Sequence, residues 1–218
     1  MPKGSALIVG VGPGLGVSLA RAFAADGHPA ALFGRDAERL NTFSSGLAAP
    51  GRTVRAYQVD VADPTGLRAM LHTAVRDLGA PDVLVYNAAH VALDSPTALD
   101  SDHLARTLAV NVTGAVVAAQ TVLPLLRRGR GSLLFTGGAA AVDPSPDYTS
   151  LSIGKAALRS YVQALHKQQH GGDAHVATVT IDGHIGGGDP RLAPDVIAAA
   201  FLDLHHQPRE EWQAELRY

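Results

Sequence analysis

The glycine-rich stretch from Leu7 to Gly16 constrains the fold of this chain more than any other part of the sequence. Its apolar start, Leu7 to Val9, is too short for a helix and is typical of a central strand in a parallel sheet. Glycines 10, 12, 14 and 16 have no Cβ, so they allow a sharp turn and the close approach of a ligand. The segment after them predicts a helix whose free N–H groups point at the turn. This order predicts a nucleotide site whose pyrophosphate contacts Gly10, Gly12, Pro13, Gly14, Leu15 and Gly16.

Strand and helix patterns alternate along all 218 residues, without a repeat or a long linker. Besides the first strand, strands are predicted at 29–33, 54–59, 83–86, 132–136, 175–181 and 214–217. Helices are predicted at 14–26, 36–47, 63–78, 101–127, 150–169 and 194–205. This alternation predicts an α/β protein of the Rossmann type: a doubly wound, mostly parallel seven-stranded sheet with helices on both faces. We expect residues 1–218 to form a single domain.

Charge and composition exclude several classes of partner. The net charge of −2 gives no broad basic surface, so neither nucleic acid nor an anionic membrane is expected as a partner. No cysteine is present, which fits a reducing cytoplasm, and the amino-terminal residues lack the layout of a signal peptide. No apolar run is expected to be long enough to cross a bilayer. Of the ten histidines only His166 and His170 have the His-x-x-x-His spacing; we expect the histidines to be mostly surface residues and predict no metal site.

The residue after the second strand predicts which dinucleotide binds. In a doubly wound sheet, ligands bind at the carboxyl ends of the strands, where Arg35, Asp60, Asn87 and the 136–138 segment fall. An arginine after the second strand pairs with the 2′-phosphate of NADP, whereas an acidic residue there binds the ribose hydroxyls of NAD. Arg35 therefore favours NADP (NADPH) over NAD. The alternative is that Arg35 is solvated and that Asp36 only caps the next helix.

Five motifs in this order resemble the short-chain dehydrogenases/reductases over nearly the whole chain. The resemblance rests on Gly10-x-x-x-Gly14-x-Gly16, Asp60-Val61, Asn87-Ala88-Ala89, Asn111, and Lys155-Ala156-Ala157-Leu158. It implies an NADP-dependent oxidoreductase in which Asp60 and Val61 contact the adenine, and Asn87, Ala88 and Ala89 also bind the cofactor. It further implies that Lys155 holds the nicotinamide ribose, that Asn111 has a structural and catalytic role, and that Gly183 and Ile185 bind the cofactor.

The resemblance also bears on assembly and on the substrate pocket. Members of this family usually form dimers or tetramers through the helices after strands 4 and 5, so a homodimer or homotetramer is expected. The small residues expected to allow that packing are Ala115, Val116, Ala118, Ala119, Ala156 and Ala157. The family's two-helix lid over the substrate is shortened here to about residues 186–193, which predicts an open pocket.

Two positions depart from the family's catalytic pattern. Leu151 stands four residues before Lys155, where the family has tyrosine, and the serine position falls at Gly137-Gly138. Tyr148 lies seven residues before Lys155, and residues two helical turns apart share a helix face, so Tyr148 is predicted as the replacement proton donor. This spacing is similar to that of the bacterial enoyl-acyl-carrier-protein reductases, although the glycine motif is not theirs. The alternative is that Tyr148 is a loop aromatic that packs against Pro144 or Pro146.

We therefore predict an NADP(H)-dependent reductase that acts on a small carbonyl or enone substrate. Its catalytic residues would be Tyr148, Lys155 and Asn111. Two alternatives follow from the missing tyrosine and serine: a redox-neutral enzyme such as a cyclase or isomerase, and a non-catalytic NADP-binding protein.

Overall fold

The computed structural model describes residues 2–218 and contains a seven-stranded sheet in the order β3-β2-β1-β4-β5-β6-β7. Every pair of neighbouring strands is parallel, so the predicted α/β architecture is confirmed. The strands are β1 (Ser5–Val9), β2 (Ala30–Gly34), β3 (Val54–Gln58), β4 (Pro81–Tyr86), β5 (Gly131–Gly138), β6 (Ala174–Ile181) and β7 (Glu215–Arg217). The helices are α1 (Leu15–Ala25), α2 (Ala37–Leu47), α3 (Pro64–Leu78), α4 (Ser101–Leu108), α5 (Gly114–Val122), α6 (Thr149–Gln168) and α7 (Pro194–His206).

Helices cover both faces of the sheet because the side chains of each strand alternate between two cores. In β1, Ala6 and Ile8 join one cluster and Leu7 and Val9 join the other. The first cluster includes residues of α1, α2 and α7, and the second includes residues of α3, α5 and α6. Since β1 is buried on both sides, its sequence is a continuous apolar run rather than an alternating one.

The helix predicted over 101–127 is not continuous. A π-helical turn, Ala109–Thr113, separates α4 from α5, and a 3₁₀ turn, Leu123–Leu125, follows α5. The hydroxyl of Tyr86 donates a hydrogen bond of 2.6 Å to the carbonyl of Val110 within the π turn. Because a contact from β4 stabilises this turn, the helical period of the sequence alone did not predict it.

The apolarity of this helical segment corrects one prediction. By length and composition the 25-residue segment Ser101–Leu125 qualifies as long enough to cross a membrane, since its most apolar stretch of 18 residues has a mean hydropathy of 1.6. The expectation that no apolar run reaches this length is therefore wrong. The core helices of soluble proteins meet the same criterion, and 44% of the most apolar stretch is buried here, so the segment is weak evidence for a membrane span.

The small residues of α5 were expected to face another subunit, and this is wrong for three of them. Ala115, Ala118 and Ala119 are fully buried in the core of the chain itself. They belong to the same cluster as Leu67 and Leu71 of α3, so they allow α5 to pack closely on its neighbour within the chain.

Candidate functional site

A cavity of about 400 Å³ opens at the carboxyl edge of the sheet, next to the glycine turn. It contains most of the residues that the sequence predicts for the cofactor. Those that line it are Gly10, Gly12, Gly14, Leu15, Gly16, Arg35, Asp60, Val61, Asn87, Ala88 and Ala89. The predicted residues outside this lining are Pro13, Lys155, Gly183 and Ile185.

The four glycines of the turn have two different roles. Gly10 has a φ of +93°, and a Cβ there would lie 2.3 Å from the backbone nitrogen of Ala88. A Cβ on Gly16 would lie 2.6 Å from the carbonyl oxygen of Gly10. Gly12 and Gly14, in contrast, have no atom within 4 Å of a Cβ position. The outer glycines therefore permit backbone packing, and the inner two leave open space for a ligand.

The start of α1 offers hydrogen-bond donors to that space. Gly14 is the N-cap of α1, and no side chain caps the helix. The first turn of a helix leaves its N–H groups without partners inside the helix, and its dipole favours an anion. The open glycine turn and the uncapped helix together fit a pyrophosphate group.

A chain of hydrogen bonds connects the glycine turn to Lys155. Asn87 Nδ2 donates to the carbonyl of Gly10 at 2.9 Å, and Asn87 Oδ1 accepts from Thr136 Oγ1 at 2.9 Å. Lys155 Nζ donates to the carbonyl oxygen of Thr136 at 2.7 Å. These hydrogen bonds connect the ends of β1, β4 and β5 to one another and to α6. Thr136 was not among the predicted site residues, although a polar residue at a strand end is a usable signal.

Lys155 is partly buried, and burial lowers the pKa of its ammonium from 10.5 to about 8. Only one of its three N–H groups is used by Thr136, so the others are able to donate to a ligand. A lysine with this pKa is still mostly protonated at pH 7.

Asn111 lies within the π turn and is buried. Its Oδ1 accepts a hydrogen bond from the backbone nitrogen of His90 at 2.6 Å, and its Nδ2 donates to the carbonyl of His90 at 3.1 Å. The amide therefore fixes the loop after β4. Gly154 of α6 packs against this side chain, since a Cβ there would lie 3.0 Å from Asn111 Cβ.

Two arginines lie at the end of the cavity formed by β2. Arg35 is exposed and directly follows β2, and Arg39 lies one helical turn further on. Asp36 is the N-cap of α2 and accepts a hydrogen bond from the backbone nitrogen of Arg39 at 3.0 Å. Its other carboxylate oxygen lies 3.4 Å from the Arg39 guanidinium. Arg39 was missed by the sequence analysis, which considered only the residues at the end of the second strand, whereas Arg39 lies in the first turn of α2.

Tyr148 directly precedes α6, the helix that carries Lys155. It is the N-cap residue of α6, with φ −137° and ψ 49°, and its carbonyl accepts a hydrogen bond from the backbone nitrogen of Ser152 at 2.9 Å. That Tyr148 and Lys155 share a face stays a prediction. The side chain of Tyr148 is 36% exposed, and its backbone pairs with Asp94. Asp94 Oδ1 accepts a hydrogen bond of 3.0 Å from the backbone nitrogen of Ser150, so a loop residue caps this helix.

The segment after β6 forms a compact turn beside the sheet. Gly183 has a φ of +135°, and Gly186 N donates to the carbonyl of Leu192 at 2.9 Å. Between them Ile185 packs on the first core cluster. The remainder of the short 186–193 segment contains one 3₁₀ turn, Pro190–Leu192.

The histidines correct another expectation. His28 and His175 are buried, and His205 is only half-buried, so the prediction that histidines are mostly surface residues is wrong for these three. One ring nitrogen from each of His28, His205 and His206 lies within 4.8 Å of the other two. The prediction of no metal site rested on spacing within one helix, and His28 is supplied by a distant part of the sequence.

Comparison with known proteins identifies the family of this fold and site. Residues 5–182 match the short chain dehydrogenase family. This match covers most of the chain, so the chain belongs to that family.

Individual relatives agree with this assignment. A 2,3-dihydro-2,3-dihydroxybenzoate dehydrogenase of Bacillus subtilis is 29% identical over 161 residues, which cover 73% of this chain and 62% of that protein. The alcohol dehydrogenase of Thermococcus sibiricus, solved in complex with 5-hydroxy-NADP, is 25% identical with a TM-score of 0.89, covering 99% of this chain and 96% of its own. A short chain dehydrogenase of Burkholderia cenocepacia in complex with NADP is 26% identical with a TM-score of 0.87, and the match covers 98% of this chain and 95% of that one.

The chain is shorter than many of its curated relatives. It spans about half of the length of several that it matches. It covers 15% of another, the glycine betaine reductase ATRR of Emericella nidulans.

Proposed function

We propose that this protein is an NADP(H)-dependent oxidoreductase of the short-chain dehydrogenase type that reduces a small carbonyl or enone substrate. The observation that carries the proposal is the cavity in which the open glycine turn, Arg35, Asp60 and Asn87 meet. Two related proteins of known structure hold NADP-type ligands, which supports a nicotinamide cofactor.

The preference for NADP follows from the groups at the end of β2. Two guanidinium groups, of Arg35 and Arg39, border the cavity there. The one carboxylate beside them, Asp36, is already hydrogen-bonded to the start of α2. A 2′-phosphate would therefore meet positive charge, whereas the acceptor that an NAD ribose prefers is engaged elsewhere.

When bound, a nicotinamide cofactor would supply the hydride for the substrate carbon, and a proton from the protein or from water would complete the reduction. Lys155 holds the ribose through its free N–H groups, and Asn111 keeps the loop at His90 in place. Tyr148, or a water molecule, delivers the proton to the substrate oxygen. An exposed phenol before α6 is compatible with an open pocket beside the short 186–193 segment.

The cofactor proposal is tested by titrating the protein with NADPH and with NADH and following nicotinamide fluorescence. We expect Arg35→Ala to weaken NADPH binding at least about tenfold, since a charge-assisted contact to a phosphate contributes about 1.5–3 kcal/mol. NADH binding should hardly change. The matched control is Arg68→Ala, an exposed arginine of α3 outside the cavity lining. Equal weakening of both dinucleotides, or none, would contradict the assigned role of Arg35.

A second candidate function is favoured by one observation. By the resemblance, Leu151 stands at the family's tyrosine position and Gly137-Gly138 at its serine position, and neither leucine nor glycine can donate a proton from its side chain. A redox-neutral enzyme or an NADP-binding protein without turnover would keep the cavity and lack this chemistry. Binding of NADPH without oxidation by any of a panel of ketones and enones would favour this candidate.

Several broader features belong to the same proposal. We propose that the chain acts as one domain, works in the cytoplasm on a small-molecule substrate, and forms a homodimer or homotetramer. The self-association would use exposed parts of α5 and α6, between which a groove contains Gln120, Leu123 and Tyr161. Sedimentation velocity on the purified protein tests this assembly.

A further inference from the structure

Three histidines and one aspartate meet at the amino edge of the sheet, opposite the cofactor cavity. Asp26 is the C-cap of α1, His28 precedes β2, and His205 and His206 end α7. The ring centroids of His28 and His205 are 5.4 Å apart, and those of His205 and His206 are 5.3 Å apart. No step of the proposed reaction uses these residues.

The tautomer of His28 leaves a free lone pair directed into the cluster. His28 Nδ1 lies 2.8 Å from the carbonyl oxygen of Gly4, which only accepts, so Nδ1 carries the proton. Only 2% of the His28 surface is exposed to solvent. Its Nε2 is shielded from solvent and makes no hydrogen bond of acceptable geometry to any residue from 2 to 218. A buried nitrogen acceptor without a partner is unfavourable, and a metal ion would satisfy it.

Asp26 completes a four-ligand set. Its Oδ2 lies 3.3 Å from His28 Nε2 and 3.0 Å from His206 Nε2. With metal–ligand distances near 2.0–2.1 Å, adjacent ligand atoms of a tetrahedral zinc site are about 3.3 Å apart. The two measured distances match that separation, and His205 supplies a third nitrogen, which lies within 4.8 Å of those of His28 and His206.

The Ser132 hydroxyl orients a second imidazole of the cluster. His205 Nδ1 lies 2.8 Å from Ser132 Oγ, and in the tautomer in which that hydroxyl accepts from Nδ1, Nε2 is left for a metal ion. His206 is exposed, which gives an ion a path from solvent.

We propose that His28, His205, His206 and Asp26 form a structural site for a divalent transition metal, with zinc as the expected ion. The choice of zinc follows from a ligand set of three imidazoles and one carboxylate, which suits a tetrahedral zinc ion. The ion would tie the end of α1 and the start of β2 to the end of α7. This proposal is independent of the nicotinamide site, because it requires neither cofactor binding nor turnover.

The ammonium of Lys3 would compete with the metal ion for the Asp26 carboxylate. This ammonium contacts the same Asp26 Oδ2 that would ligate the ion. Metal binding requires this cation to move away, and the Lys3 side chain is 36% exposed and free to do so. Lys3→Met is therefore expected to tighten metal binding, opposite to the effect of removing a ligand.

The test uses tag-free protein, treated with a chelator and then titrated with Zn²⁺ against a chromophoric competitor, and with Co²⁺ followed by visible absorption. We expect one equivalent to bind, a tetrahedral Co²⁺ spectrum, and a higher unfolding temperature with Zn²⁺. His206→Ala and Asp26→Asn, both at solvent-accessible positions, should weaken binding at least about tenfold, since loss of even an outer-shell partner costs about 10–100-fold.

His72→Ala is the matched control, because His72 is exposed on α3 and lies outside the cluster. The zinc affinity of the His72→Ala variant should equal that of the unmodified chain. Circular dichroism verifies that each variant is folded. If His206→Ala does not fold, the zinc affinity of Asp26→Asn is the deciding measurement. Absence of saturable Zn²⁺ binding, or equal binding by the His206 and His72 variants, would overturn the proposal.

Discussion

The cofactor half of the candidate site, from the glycine turn to the end of β4, differs from the catalytic half formed by β5 and α6. The first half presents the open backbone of the glycine turn to the cavity, together with side chains such as those of Arg35 and Asn87. The second half depends on single side chains, and Leu151 and Gly137-Gly138 stand where the resemblance predicts tyrosine and serine. Backbone contacts survive side-chain replacement wherever glycine is retained, whereas proton transfer is lost with one hydroxyl. The difference predicts that cofactor binding and catalysis can be separated by mutation in this chain.

The largest expected effect comes from breaking the first half at Gly10. Gly10→Val places a branched side chain at a φ of +93° and against the backbone of Ala88. We expect the free energy of unfolding to fall by about 3 kcal/mol or more, with loss of NADPH binding. Urea denaturation measures the first quantity, and fluorescence titration the second.

Gly12→Ala is the matched control for this loss. Its added methyl group meets no protein atom within 4 Å, so stability should change by less than about 1 kcal/mol. Since the methyl group enters the cavity, NADPH affinity should still decrease. A Gly10 variant as stable as the Gly12 variant would show that close backbone packing at the turn is not needed.

The next largest effect is expected at Lys155, in the catalytic half of the site. We expect Lys155→Met to lower kcat/KM by more than about 10²-fold, because the ribose would lose the hydrogen bonds that position the nicotinamide. Because the folded-state pKa of about 8 lies below 10.5, the unfolded chain binds more protons between these values. Stability should therefore rise with pH across that window in the unmodified chain and show no such rise in the variant.

Removing the buried ammonium should also make the Met variant more stable at pH 7, by about 2 kcal/mol. Thermal unfolding at pH 7 and at pH 10 checks both statements. A variant that loses stability at pH 7 would show that the Thr136 hydrogen bond outweighs the cost of burying the charge.

A smaller effect is expected at Tyr148. If its phenol is the proton donor, Tyr148→Phe should lower kcat by about 10²-fold and leave the affinity for NADPH unchanged. Tyr161→Phe, at a half-buried position further along α6, is the control. Unchanged turnover in the Tyr148 variant would leave a water molecule as the proton source.

The smallest effect concerns the attachment of α6 to β7 at acidic pH. Arg159 makes two hydrogen bonds to Glu215, of 2.9 and 2.6 Å, and they hold the pKa of Glu215 at about 2 instead of 4.5. The folded-state pKa is the lower one, so this stabilisation is complete above pH 4.5 and is lost as pH falls toward 2. Glu215→Gln should flatten this part of the pH–stability curve, measured by urea denaturation. An unchanged slope would assign the acid sensitivity to other groups.

Local sequence patterns predicted more of the fold than of the site. The strand at Leu7–Val9, the glycine turn and the strand–helix alternation depend on neighbouring residues, and the structure contains each of them. The break at Asn111 was mispredicted, and the contact that caps α6 was not predicted. Tyr86 from β4 bonds into the π turn, and Asp94 from a distant loop caps α6, so these features depend on contacts far along the chain.

The sequence by itself determined the parallel sheet, the glycine turn and the gathering of polar strand ends at one edge, because backbone geometry and side-chain period are local properties. Only the tertiary structure decided which side chains meet. Thr136 joins Asn87 to Lys155, and Asp26 and His28 meet His205 and His206 across almost the whole length of the chain. Such contacts depend on how helices pack on the sheet, and no short-range pattern in the sequence encodes that packing.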